Sequence, residues 1–141
     1  MKTIRLWLAT IATLLCSLSA SAHDFEVGGI YYYITSSTDL TVAVTFRGAS
    51  VKEYPEEYSG IITIPSTVIY GENTYSVTKI ASSAFKYCST LTAITLPESM
   101  TSIGADAFSG CSGLNSISIP GNVISIGNDA FINCTKVRLL S

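Results

Sequence analysis

Three cysteines, Cys88, Cys111 and Cys134, recur at one 23-residue interval. A row of thiols could hold a metal ion or close disulfides. Zinc sites, however, draw on ligands paired closely in sequence, and no second Cys or His stands beside any of the three. If the interval is one structural repeat, equivalent cysteines lie about one strand spacing apart, near 5 Å. Each is flanked by apolar positions that recur with it, and a reduced Cys in such surroundings behaves as a small hydrophobe. A packing ladder is therefore expected. A disulfide between neighbouring repeats is the alternative in an oxidising compartment, although it would leave one thiol over.

Other candidates for chemistry are sparse. His23 is the only histidine, so a catalytic triad or a metal centre would need unusual substitutes. Glu53, Glu56 and Glu57 cluster near Tyr54 and Tyr58, a run expected to be solvated loop. Asn133-Cys134-Thr135 fits a glycosylation acceptor, but it coincides with a repeat position and is read as accidental. No nucleophile, base or carboxylate pair recurs at a fixed place, so no enzymatic activity, cofactor or metal is expected.

The elements that position these residues follow from the repeat. Ile80, Ile103 and Ile126 share the 23-residue offset, as do Ala84, Ala107 and Ala130, and as do Phe85, Phe108 and Phe131. So do Leu91, Leu114 and Val137, then Ile94, Ile117 and Leu140, with Pro97 and Pro120. So many apolar positions in one register imply stacked coils of a β-rich solenoid with 23-residue units. In each coil Leu91, Ile94 and Leu96, or Leu114, Ile117 and Ile119, follow the spacing of a leucine-rich strand, which Pro97 or Pro120 then ends. Asn122 and Ser99 occupy the place where a side chain can bond backbone between coils. The rest of each unit has room for no more than a helical turn or two, with the Phe pointing inward.

Upstream, Ile62, Ile64 and Pro65 align with Ile94, Leu96 and Pro97, but at a longer, 32-residue offset. The nine extra residues, 69–77, read as two β-prone arms about Gly71-Glu72-Asn73, a hairpin inserted in an irregular first unit. Before it, strands are expected over about Glu26 to Thr35 and Leu40 to Arg47, with Ser36 to Asp39 as the turn. Residues 23–59 thus form an N-terminal β-hairpin cap over residues 60–141, the repeats. At the start, Lys2 and Arg5 precede an apolar run from Leu6 to Leu18 and the small residues Ser19 to Ala22. That order is a secretory leader over residues 1–22, cleaved after Ala22. The run is too short for a membrane span. Cutting before Cys16, as in a lipoprotein, would put the large Leu15 where a small residue is needed.

Units with "AF", a Cys three residues later, "L-x-x-I-x-I/L-P" and then "S-I-G" resemble the BspA-type, or Treponema pallidum type, leucine-rich repeats. "GIYYYI", "TVAVTF" and "YSGIITIPSTVIYGENTYSVTKIASSAF" are similar to the N-terminal region of Bacteroides-group secreted proteins of that family. The resemblance covers nearly all of the chain after the leader. It implies an extracellular or surface-attached protein used in adhesion and protein–protein contact, some members binding host matrix proteins, with no catalytic residues to carry over.

Charge agrees with a protein partner. Losing Lys2 and Arg5 with the leader takes the formal net charge from −2 to −4, which gives no basic face for nucleic acid and no polybasic run for anionic membranes. Between the inward positions lie Thr92, Ala93 and Thr95, then Asn115, Ser116 and Ser118, then Arg138: a hydroxyl-rich candidate binding face, or a merely solubilising one. Tyr31, Tyr32, Tyr33, Tyr70 and Tyr75 are either cap core or contact residues. Ser141 follows the last strand with no polar capping unit, so either self-association through an uncapped C-terminal coil or a truncated array is expected. Two functions stay open: an adhesin-like protein-binding module, or a structural module of a larger surface array without its own ligand.

Overall fold

The computed structural model describes residues 21–52 and 56–140. The expected leader lies, but for its last two residues, outside them, as do Glu53 and Tyr54. Eleven strands and no helix occur among the described residues. The first three, β1 (Phe25–Val27), β2 (Ile30–Ser36) and β3 (Thr41–Thr45), run antiparallel in sequence order. The single strand expected from Glu26 to Thr35 is in fact a hairpin. Gly28 and Gly29 have φ of 61° and 81°, the two successive left-handed residues that close a tight two-residue turn. Tyr32 then faces Val44 across the β2–β3 ladder, and both are buried.

The chain next lays down β4 (Gly60–Thr63), β5 (Thr67–Tyr70) and β6 (Asn73–Ile80). Strands β5 and β6 form a hairpin whose Tyr70 and Asn73 pair beside the turn and whose outermost pair is Thr67 with Ser76, so it begins two residues before the inserted residues 69–77. Its long arm β6 continues into the body of the fold. There β6 pairs in parallel with β3 on one side and with β8 (Ser102–Ile103) on the other, and β10 (Ser125–Ile126) follows β8. This gives the order β1-β2-β3-β6-β8-β10, with β5 also on β6.

The second sheet is wholly parallel: β4, β7 (Leu91–Thr95), β9 (Ser116–Ser118) and β11 (Arg138–Leu140). Ile62, Ile94 and Ile117 pair across it with buried or half-buried side chains, while Thr63, Thr95 and Ser118 pair on its exposed side. One detail departs from the 23-residue offset. Arg138 stands opposite Ser116 and Leu139 opposite Ile117, not Leu140 opposite Ile117. The Arg138 amide donates to the Asn115 carbonyl at 2.8 Å, which keeps the 23-residue offset as the Asn115 amide does on the Thr92 carbonyl at 3.0 Å, so the one-residue shift lies in the pairing of β11 itself.

Instead of helical turns, the segments between the two sheets form three-residue turns. The Cys88 amide donates to the Phe85 carbonyl and the Cys111 amide to that of Phe108, at 3.1 and 3.0 Å. Left-handed residues at Ser83, Asp106 and Asp129, and again at Tyr87, Gly110 and Asn133, interrupt any helix every fourth residue. The amides freed by that backbone bond the next repeat: Phe85 to Ala107 and Phe108 to Ala130, both at 2.8 Å. Between the sheets runs one core. Phe85, Phe108 and Phe131 stack with ring centres 5.1 and 5.3 Å apart and planes within 5° of parallel. Tyr58 extends the stack, its ring 4.6 Å from that of Phe85.

Candidate binding face

Each residue on the outward side of the parallel sheet is placed by its inward neighbours. Burial of Ile94 and Leu96, and of Ile117, puts Ala93 and Thr95, and Ser116 and Ser118, on the opposite side, as pleating requires. The register then orders them in two rows. One row is Ile61, Ala93, Ser116, Arg138; the other begins Thr63, Thr95, Ser118. Thr92 and Asn115 lie just before these rows, Asn115 donating its amide to the Thr92 carbonyl at 3.0 Å. Of the six expected face residues, Thr92, Thr95, Ser116, Ser118 and Arg138 are therefore on one sheet, and Asn115 immediately precedes its strand β9.

Asn115, Ser116 and Arg138, with Thr135, Lys136 and Val137, line an open recess of about 710 Å³. Lys136 and Arg138 make no ion pair among the described residues; Lys86 does, with Asp106 at 3.4 Å. Sequence reasoning missed Lys136 and Ile61. The 32-residue offset that aligns Pro65 with Pro97 also aligns Ile61 with Ala93, and it would have found an aliphatic side chain left 77% exposed on this face.

Cys88, Cys111 and Cys134 are free. The Cys111 thiol donates to the Phe85 carbonyl at 3.0 Å, and the Cys134 thiol to that of Phe108 at 2.9 Å. Burial pushes the Cys88 thiol up to about 11 and raises those of Cys111 and Cys134, so they are poor nucleophiles and poor metal ligands. No group of three potential metal ligands occurs among the described residues. Polar bonds between repeats come from Ser99, whose hydroxyl donates to the Val77 carbonyl at 2.7 Å, and from Asn122, whose side-chain amide donates to that of Glu98 at 2.8 Å.

The tyrosines divide between roles. Tyr32 and Tyr75 are buried, Tyr31 and Tyr33 half-buried, and Tyr70 is exposed at the hairpin, stacked 4.2 Å from Phe25. Tyr58 and Glu57 are not solvated loop. The Tyr58 hydroxyl donates to the Thr45 carbonyl at 2.6 Å and accepts from the Tyr31 amide at 3.1 Å. Glu57 accepts from the Arg47 amide at 2.9 and 3.0 Å. His23 packs edge-on against Tyr31 at 4.8 Å. None of these groups lines the recess.

Parallel strands paired repeat by repeat, with a leucine-rich inward pattern, define the class as leucine-rich repeat proteins. Within that class the chain belongs to the family described as BspA type leucine rich repeat region, whose model matches residues 61–141 in six copies. Solved structures agree. A leucine rich cell surface protein from Faecalibacterium prausnitzii is similar at 28% identity and a TM-score of 0.66. The match covers 82% of this chain and 29% of that one, so the chain spans under a third of this relative. A leucine-rich repeat protein from Bacteroides capillosus has the same fold at 21% identity and a TM-score of 0.51, with 86% of this chain and 99% of that one covered. No curated protein matches the chain. No helix among the described residues is long and apolar enough to cross a membrane.

Proposed function

We propose that the chain is a secreted or surface-exposed, adhesin-like protein-binding module without catalytic activity, and that it binds through the outward face of the parallel sheet. On this reading residues 1–22 are a leader cleaved after Ala22, residues 23–59 cap a solenoid of 23-residue coils, and residues 60–141 are the recognition array. The observation that carries it is the register of the face: Ala93 with Ser116, and Thr63, Thr95 and Ser118, stand side by side on adjacent strands. Short hydroxyl side chains on a backbone fixed by ladder bonds lose little entropy when a partner orders them. Family membership supports the same use, and the relative from Faecalibacterium is described as a cell surface protein.

The test is capture by immobilised extracellular matrix proteins and mucins. The protein is expected to bind at least one, and the double variant Thr95→Arg with Ser118→Arg is expected to bind at least about tenfold more weakly at unchanged melting temperature. Equal capture of the variant would move the binding site off this face. The second reading, a structural module of a longer array, is favoured by one observation: the chain spans only 29% of that surface protein. It predicts capture of neither form.

A further inference from the structure

The face is not uniform along its length. One row begins at Ile61 on β4 and ends at Arg138 on β11, with only Ala93 and Ser116 between them. Ile61 is an aliphatic side chain left in water at the edge of a sheet. At the other end Lys136 and Arg138 line one recess, and among the described residues no carboxylate lines it with them and neither cation is paired. The rest of the recess offers the Asn115 amide and the Ser116 and Thr135 hydroxyls, which can bond a carboxylate's remaining lone pairs. Two cations lining one recess with such groups are complementary to an anion.

We propose that the partner presents an extended acidic peptide segment to this face, with a carboxylate seated between Lys136 and Arg138 and an aliphatic side chain over Ile61. The inference rests on the face being the binding site. Ile61 and Arg138 are separated by three strand spacings, about 14 Å. An extended chain advances roughly 3.3 Å per residue, so the two anchors sit about four residues apart in the partner. The segment crosses the strands and makes its contacts through side chains, while Thr95 and Ser118 flank its middle. Attraction between exposed charges is screened over about 8 Å at physiological salt, so the affinity falls as salt is added.

An amide-resolved NMR titration tests this with the pentapeptide acetyl-Leu-Ser-Thr-Ser-Glu-amide. Its Gln counterpart, acetyl-Leu-Glu-Ser-Thr-Ser-amide and sodium sulfate serve as comparisons. The Glu peptide is expected to shift amides of Arg138, Ser116 and Ala93. Binding at least about tenfold weaker is expected for the Gln peptide, for the misplaced Glu, and for the Lys136→Ser with Arg138→Ser variant. Ile61→Ser should weaken the Glu peptide alone and leave sulfate unaffected. Both sets of substitutions lie on the surface, so an unchanged melting temperature confirms that the fold is intact. Equal binding of the Glu and Gln peptides at these amides would remove the acidic partner and leave the face standing. Sulfate bound as tightly as the Glu peptide would reduce the site to an anion pocket and overturn the peptide. Failure of every peptide at millimolar concentration overturns the inference alone, because the matrix-protein capture reads the face independently.

Discussion

Tyr32 and Tyr58 bring the same hydroxyl into the same core with opposite consequences. Tyr58 satisfies both sides of its oxygen through Thr45 and Tyr31, whereas the Tyr32 hydroxyl is buried with no partner among the described residues. A buried polar group without a bond costs about 1–3 kcal/mol, and removing one partner of a made bond costs a similar amount. Tyr58→Phe should therefore lower unfolding stability in urea by about 1–3 kcal/mol, while Tyr32→Phe should leave it unchanged or raise it by up to about 1 kcal/mol. A loss at Tyr32 would mean that its oxygen has a bonding partner after all. The buried thiols and phenols also set a pH limit. Burial raises Cys88 from an ordinary 9 to about 11 and Tyr32 from 10 to about 12, so the folded state holds these protons more tightly than the unfolded chain does. Their contribution is complete below about pH 9 and is lost as pH climbs through 11 to 12. The melting temperature should be flat near neutrality and fall above pH 9, and the fall should be shallower in a Cys88→Ala variant.

At the level of the coil, the distance between neighbouring repeats depends on a missing side chain. A Cβ on Gly104 would lie 2.4 Å from the Ser82 amide nitrogen, and one on Gly127 would lie 2.3 Å from that of Ala105. Backbone cannot step aside as a flexible side chain can, so Gly104→Ala should push neighbouring coils apart and cost about 1–3 kcal/mol. Gly121→Ala, with nothing within 4 Å and no left-handed backbone, should cost less than about 0.5 kcal/mol. The stacked rings obey the same logic. Phe108 lies between Phe85 and Phe131 and is fully buried, so Phe108→Ala should cost about 3–5 kcal/mol; a change under about 1 kcal/mol would place the ring outside the core. Whatever follows the 23-residue interval is visible in sequence, because each such repeat solves the same packing problem with the same residues: the Phe row, the Cys row and the inward Ile positions. What falls outside that period is not. Tyr58 serves as one more ring of the stack, but its offset from Phe85 differs from the repeat, and no periodic search reaches it. Lys136 enters the recess through the turn before β11, whose pairing runs one residue off the sequence period. The Gly28-Gly29 turn was legible, since two adjacent glycines between β-prone residues favour a hairpin, yet the alternating run around it reads as one strand.

For the molecule as a whole, stability should be graded along the stack and not shared evenly. In a repeat array each coil gains its stability from its immediate neighbours, and a coil that buries less opens more readily. The coil containing Ile103, Phe108 and Cys111 has all three fully buried. Its successor has Ile126 at 48% exposure, Ile124 at 88% and Ile132 at 45%, with Phe131 and Cys134 only half-buried. The backbone bonds of the two coils are nevertheless equivalent. Thr101 donates to Thr78 at 2.7 Å as Ile124 donates to Thr101 at 2.9 Å, and Gly104 donates to Ile80 as Gly127 does to Ile103, both at 2.8 Å. Hydrogen exchange can therefore compare like with like. Protection factors at Ile124 and Gly127 should be at least about tenfold below those at Thr101 and Gly104, which corresponds to about 1.4 kcal/mol of easier opening. Phe108→Ala removes the ring that couples the two coils, so it should lower protection at Ile124 and Gly127 further and bring Thr101 and Gly104 down toward them. Equal protection at all four amides in the unsubstituted protein would instead mean that the stack opens as one cooperative unit, with burial in a single coil setting no local stability of its own.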